Sequence, residues 1–136
     1  WSGSSAPWLE VAMDKYSRRT IREFMSPSNI GHIDEPSGVG HVTDNADAVE
    51  LTFFIKVDNG LITDAKYRIA GCTALIATLS VLSRELPGKT LEQALAIDMN
   101  HLSDALDGLP ESKWRCAGYA IQGLHLAIDD FHSRNA

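Results

Sequence analysis

Cysteine is scarce in this chain: Cys72 and Cys116 are the only two among 136 residues. Two thiols are too few for a disulfide framework, and such usage points to a reducing, cytoplasmic setting. A single disulfide between them stays open. Long apolar runs are missing too. None approaches the roughly 18–20 residues of a spanning helix, which argues for a soluble chain and against a membrane-spanning one. Basic surplus is absent: 12 Lys and Arg face 18 Asp and Glu, for a net charge of −6. That balance argues against nucleic acid as a main partner, because phosphate binding needs a basic surface, and it disfavours anionic membranes. Nor does the sequence hold a phosphate-cradling glycine loop, G-x-S-x-G, H-E-x-x-H or C-x-x-C. The five histidines (His32, His41, His101, His125, His132) do not fall at close metal-ligand spacings.

What is present reads as one globular domain, with 44% hydrophobic and 22% charged residues. Residues 1–13, opening with Trp1-Ser2-Gly3-Ser4-Ser5-Ala6-Pro7, have linker composition, which leaves residues 14–136 for the domain. A first helix is predicted from Asp14 to Met25, ending before Ser26-Pro27. Lys15, Arg18, Arg19 and Arg22 share one of its faces, a stripe suited to solvent or to an acidic partner. Ser26 to Gly40 is an irregular connection, and Val39 to Thr43 a short strand. From Val49 the period becomes two: Leu51, Phe53, Ile55 and Val57 alternate with Glu50, Thr52, Phe54 and Lys56. Asp58-Asn59-Gly60 supplies a hairpin turn, and a return strand runs from Leu61 to Ile69, with Ile62, Ala65, Tyr67 and Ile69 as core contacts.

Helices are expected over Cys72–Leu86, over Leu91–Ala96 behind a Thr90/Gln93 capping box, over Met99–Leu106, and over Ser112–Ser133. On the last, Trp114, Ala117, Ile121, Leu124, Ile128 and Phe131 form an apolar stripe. Ala120, Gly123 and Ala127 form a small-residue side, which admits a close backbone or a bound group. The fold class is α+β: a three-stranded antiparallel sheet flanked by helices.

Two positions invite chemistry. Cys72 follows Gly71 where strand gives way to helix, and a thiol at a helix start leans toward thiolate, the form that attacks electrophiles and binds metals. The competing reading is a small buried cysteine closing a turn. Cys116 lies near the start of the last helix, off its apolar stripe.

The residues also carry a resemblance. Tyr16-Ser17, Ser26-Pro27-Ser28-Asn29-Ile30-Gly31, the stretch Phe54 to Tyr67, Gly71-Cys72 with Ala74 and Ile76-Ala77, Gly88 to Leu95, and Leu109-Pro110 with Lys113 and Cys116 resemble the IscU/NifU-type iron–sulfur cluster scaffold proteins. The similarity runs from Tyr16 to Phe131, and the family fold agrees with the periodicity. It implies a scaffold or carrier, not an enzyme, that takes sulfur from a cysteine desulfurase, assembles a [2Fe–2S] cluster with iron, and passes it to apo-protein acceptors. The family's three ligand cysteines correspond here to Asp47, Cys72 and Cys116. Aspartate thus replaces the first, loop cysteine; a family aspartate is Val49; and the histidine before the last cysteine is Arg115. The chaperone-recognition segment survives only as Leu109-Pro110 and Lys113.

An aspartate ligates iron or zinc but forms no persulfide. Removal of the carboxylate at Val49 implies a more durable cluster. An alignment shifted by two residues instead puts Asn45 at the cysteine position and Asp47 at the aspartate position. Arg115 has only donors and cannot coordinate a cation. His41 is a candidate fourth ligand or a polar loop residue, whereas His125 is too far along the helix from Cys116 to share a site. Three functions stay in competition: a cluster, iron or zinc carrier using Cys72, Cys116 and Asp47; an interaction module that kept the fold and lost the chemistry; and a thiol enzyme using Cys72. Some members of the wider family resemble zinc-bound sulfur acceptors, but these keep the loop cysteine. With two thiols per chain, a homo-oligomer sharing a cluster is also open.

Overall fold

Alternation from Val49 onward gives two long antiparallel strands because each places its apolar residues on one face. A computed structural model describes residues 16–135, so the linker reading of residues 1–13 lies outside the described residues. Strands β1 (Gly38–Asp44), β2 (Val49–Asp58) and β3 (Leu61–Ala70) form an antiparallel sheet in the order β1-β2-β3. Asn59 and Gly60 take positive φ angles of 52° and 77° at the β2–β3 turn, as the Asn-Gly pair predicts. Register pairs Leu51 with Val42 and Ile69, and Phe53 with Gly40 and Tyr67. Leu51, Phe53, Ile55, Ile62 and Tyr67 are wholly buried, while Ile69 is only partly so. Phe54 lies between Val39 and Lys66 on the outer face.

The helices are α1 (Arg18–Met25), α2 (Thr73–Glu85), α3 (Leu91–Leu95), α4 (Met99–Ala105), α5 (Trp114–Ala117) and α6 (Tyr119–Arg134). The first starts later than the predicted Asp14. Ser17 is its N-cap, accepting from the Thr20 amide, and residues 14 and 15 lie outside the described residues. Its basic face is partly tied down, since Arg19 pairs with Glu23 at 3.2 Å, while Arg18 and Arg22 stay exposed. Helix α2 is the buried helix expected, with Ala74, Leu75, Ala77, Leu79 and Leu82 fully covered. Thr90 and Gln93 form both bonds of the capping box.

The predicted single helix from Ser112 to Ser133 is corrected. Glu111–Lys113 form a 3-10 turn, α5 lasts four residues, and Gly118, at φ −63° and ψ −17°, interrupts the helix before α6. That ψ belongs to the tighter 3-10 winding, which breaks the α-helical bonding pattern. The buried side of α6 is also rotated toward its small residues: Ala120, Gly123, Leu124, Ala127 and Ile128 are buried, whereas Ile121 and Phe131 are partly exposed. Glycine makes this contact. A Cβ on Gly40 would lie 2.2 Å from the Gly123 carbonyl oxygen, and one on Gly38 2.1 Å from that of Ala127. Of the two uses open to the small-residue side, close backbone approach is the one realised, and it pins α6 across β1.

Candidate functional site

Three chain segments meet where β1 ends, β2 begins and β3 passes into α2. Asp47 belongs to the β1–β2 loop, whose shape Asp44 sets: its Oδ1 accepts from the amides of Ala46 (2.9 Å) and Asp47 (3.4 Å). Ala48 closes the loop at φ 53°. Cys72 is the N-cap of α2 in extended conformation (φ −82°, ψ 164°), and its side chain caps no backbone amide, which leaves the thiol free to point elsewhere. Cys116 sits in α5. The tertiary fold brings the two thiols to one place: Cys72 and Cys116 line the same pocket. Both are free and half-buried.

A pocket at this junction is lined by Asp47, Cys72, Ser112, Lys113, Arg115 and Cys116. Burial, and then the Cys72 side chain, push the Cys116 thiol up from its ordinary pKa. Burial, and then the charges of both cysteines, push the Tyr16 phenol up from its ordinary pKa. Two of the lining residues, Asp47 and Arg115, belong to a charged cluster. Tyr119 donates to Asp44 Oδ2 and lies 3.4 Å from Asp47 Oδ2. Arg115 Nη2 stands 3.8 Å from Asp44 and 3.6 Å from Asp47. Held by Tyr119, the Asp44 carboxyl stays below its usual range, and the same bond pushes the Tyr119 phenol up to about 12. All three predicted site residues therefore line one pocket. Even so, among the described residues no three Cys, His, Asp or Glu side chains stand close enough together to hold one ion. Asp47 faces a tyrosine and an arginine.

Other readings of the sequence sort by position. Asn45 is exposed, while Asp47 is the loop residue that reaches the pocket. His41 is exposed on the outer side of β1, its Nδ1 3.0 Å from Thr52 Oγ1, and is not among the pocket residues. No histidine lines the pocket among the described residues, so Cys72 has no imidazole base there. Sequence reasoning missed Asp44, Ser112 and Tyr119. Tyr119 was the most accessible of these, because it follows Cys116 by three residues and so shares its side of the helical segment.

Comparison with known proteins now bears on this geometry. The family model "NifU-like N terminal domain" matches residues 15–136. The chain belongs to the NifU-like N-terminal domain family. An iron–sulfur cluster assembly scaffold protein IscU of Archaeoglobus fulgidus is 38% identical over 120 residues, covering 88% of this chain and 78% of the relative. The IscU scaffold protein of Escherichia coli is 33% identical over 123 residues, covering 88% and 95%. Among solved structures, a NifU-like N-terminal protein of Brucella abortus superposes with a TM-score of 0.73 at 19% identity, covering 89% of this chain and 96% of that one. A putative scaffold protein for the SUF system of Fervidobacterium islandicum gives 0.72 at 20%, covering 85% and 97%. These confirm the NifU-like fold, with its three-stranded antiparallel sheet and helices. Among the described residues of this NifU-like domain, no helix is long and apolar enough to cross a membrane.

Proposed function

We propose that the protein is a divergent iron–sulfur cluster scaffold or carrier. Its cargo, a [2Fe–2S] cluster or a metal ion, is held by Cys72 and Cys116, with Asp47 as a third donor. The carrying observation is that the chain's two thiols, far apart in sequence, line one pocket together with Asp47. Thiolates are the usual holders of iron–sulfur clusters, so this donor pair suits such a cargo, and an oxygen donor beside them alters potential and lability. Relatives named as cluster assembly scaffolds support the same role. A scaffold of this kind receives sulfur from a cysteine desulfurase and delivers to apo-protein acceptors in the cytoplasm. The role is that of a carrier, not an enzyme.

Anaerobic reconstitution with iron and sulfide, followed by visible absorption and by iron and sulfide analysis, tests the reading. Colour and stoichiometric iron are expected, and both are lost in Cys72→Ser and in Cys116→Ser. A colourless, iron-free protein would overturn it. Zinc is the alternative cargo, because two thiolates and a carboxylate also begin a tetrahedral zinc set. Metal analysis of protein prepared without a metal-affinity column separates the two.

A second reading is favoured by the engagement of Asp47 with Arg115 and Tyr119. In that reading the domain is an interaction module that has given up its cargo. It requires partner binding that Cys72→Ala leaves unchanged.

A further inference from the structure

Two departures from the scaffold pattern meet in space. Asp47 stands where the family has its loop cysteine, Arg115 where it has the histidine before the last cysteine, and here the two side chains are 3.6 Å apart. A pair of metal-binding residue types has become an ion pair. Tyr119 joins it from the first turn of α6, 3.4 Å from the same Asp47 oxygen, and Asp44 anchors Tyr119 and Arg115 together. Although Asp47 lines the pocket with both thiols, it completes no three-donor group with them. Its Oδ2 faces the arginine and the phenol.

We infer that Arg115 and Tyr119 are positioning residues that hold Asp47 away from the thiols, so that the resting protein offers two sulfur donors and gains an oxygen donor only when the Arg115–Asp47 pair opens. This rests on the cargo reading of Cys72 and Cys116. The pair is suited to opening. Arg115 has 74% of its side chain exposed and Asp47 31%, so water and salt screen their attraction and an incoming group can compete for it. A cation at the thiols would compete for the carboxylate, and an acidic group on a docking protein would compete for the guanidinium.

Zinc affinity of the reduced protein, measured anaerobically against a chromophoric chelator, gives the test. The cost of Asp47→Asn is compared in the parent and in Arg115→Ala/Tyr119→Phe. Each background supplies its own reference, so the general effect of removing a cation cancels. We expect Asp47→Asn to change zinc affinity less than about twofold in the parent and to weaken it about tenfold in the released background, where the carboxylate has become a ligand. The cobalt-substituted proteins provide a second readout: the ligand-field bands should shift on release and return when Asp47→Asn is added. Arg115→Gln replaces Arg115→Ala if circular dichroism shows that the double variant is unfolded. A tenfold cost already present in the parent, or equal costs in both backgrounds, overturns the positioning role while leaving the thiol site intact. Zinc binding that is unaffected by Cys72→Ser overturns the cargo reading, and the positioning role with it.

Discussion

Two clusters of carboxylate, arginine and hydroxyl groups tie this molecule together, and they differ in how far they are withdrawn from water. In the first, Glu23 of α1 accepts from Ser80 (2.6 Å), from Arg84 Nη1 (2.6 Å) and from Arg19 (3.2 Å). Only 9% of the Glu23 side chain is exposed. Ser80 in turn accepts from the Ser28 amide at 2.8 Å, which fastens the connection after α1 to α2. In the second, Asp44, Asp47, Arg115 and Tyr119 join the β1–β2 loop to α5 and α6, with Arg115 largely in solvent. The residue types are nearly the same. Burial gives the first cluster the character of a structural clasp, since a charge left alone inside a protein is costly, whereas solvent makes the second adjustable. The adjustable one adjoins the thiols.

The comparison can be broken at its strongest point first. Glu23→Ala removes the acceptor shared by Ser80, Arg84 and Arg19, and we expect a loss of about 2 kcal/mol in urea-induced unfolding, the scale of lost hydrogen bonds to a charged group. A loss below 1 kcal/mol would make the two clusters equivalent. Acid titration sharpens the same contrast. Arg84 holds the Glu23 carboxyl well below its ordinary value of 4.5, at about 2. The folded-state pKa is depressed, so the stabilisation is complete above 4.5 and disappears as pH falls toward 2. Over that window the parent should lose more stability than Glu23→Gln does, and parallel curves would refute the assignment. The smallest effect is expected at the solvent-exposed cluster. Arg115→Ala should change unfolding free energy by less than about 0.5 kcal/mol, because its ion pairs are screened. A larger loss would move this cluster into the structural class.

Much of the fold could be read directly from residue order. Period-two alternation from Leu51 to Val57, Asn59-Gly60 between the strands, and the Thr90/Gln93 box each act within a few residues, so local chemistry carries the signal. The last helix was less legible. Its largest apolar residues suggested one buried face, but Gly38 and Gly40 on β1 let the backbone of α6 approach along Gly123 and Ala127, and that geometry depends on a strand some eighty residues away. The break at Gly118 was equally hidden, because glycine within an apolar helical pattern is ambiguous on its own.

For the site, the sequence by itself determined the inventory: two cysteines, one at a strand-to-helix junction, an aspartate at the family's loop-cysteine position, and an arginine before the final cysteine. Only the tertiary structure decided that Cys72 and Cys116 line one pocket and that Asp47 engages Arg115 and Tyr119. The physical reason is range. Strand alternation and helix caps are set by neighbours in the chain. An ion pair between a loop and a helix about seventy residues apart exists only once the sheet and α5 have packed and fixed the distance between them.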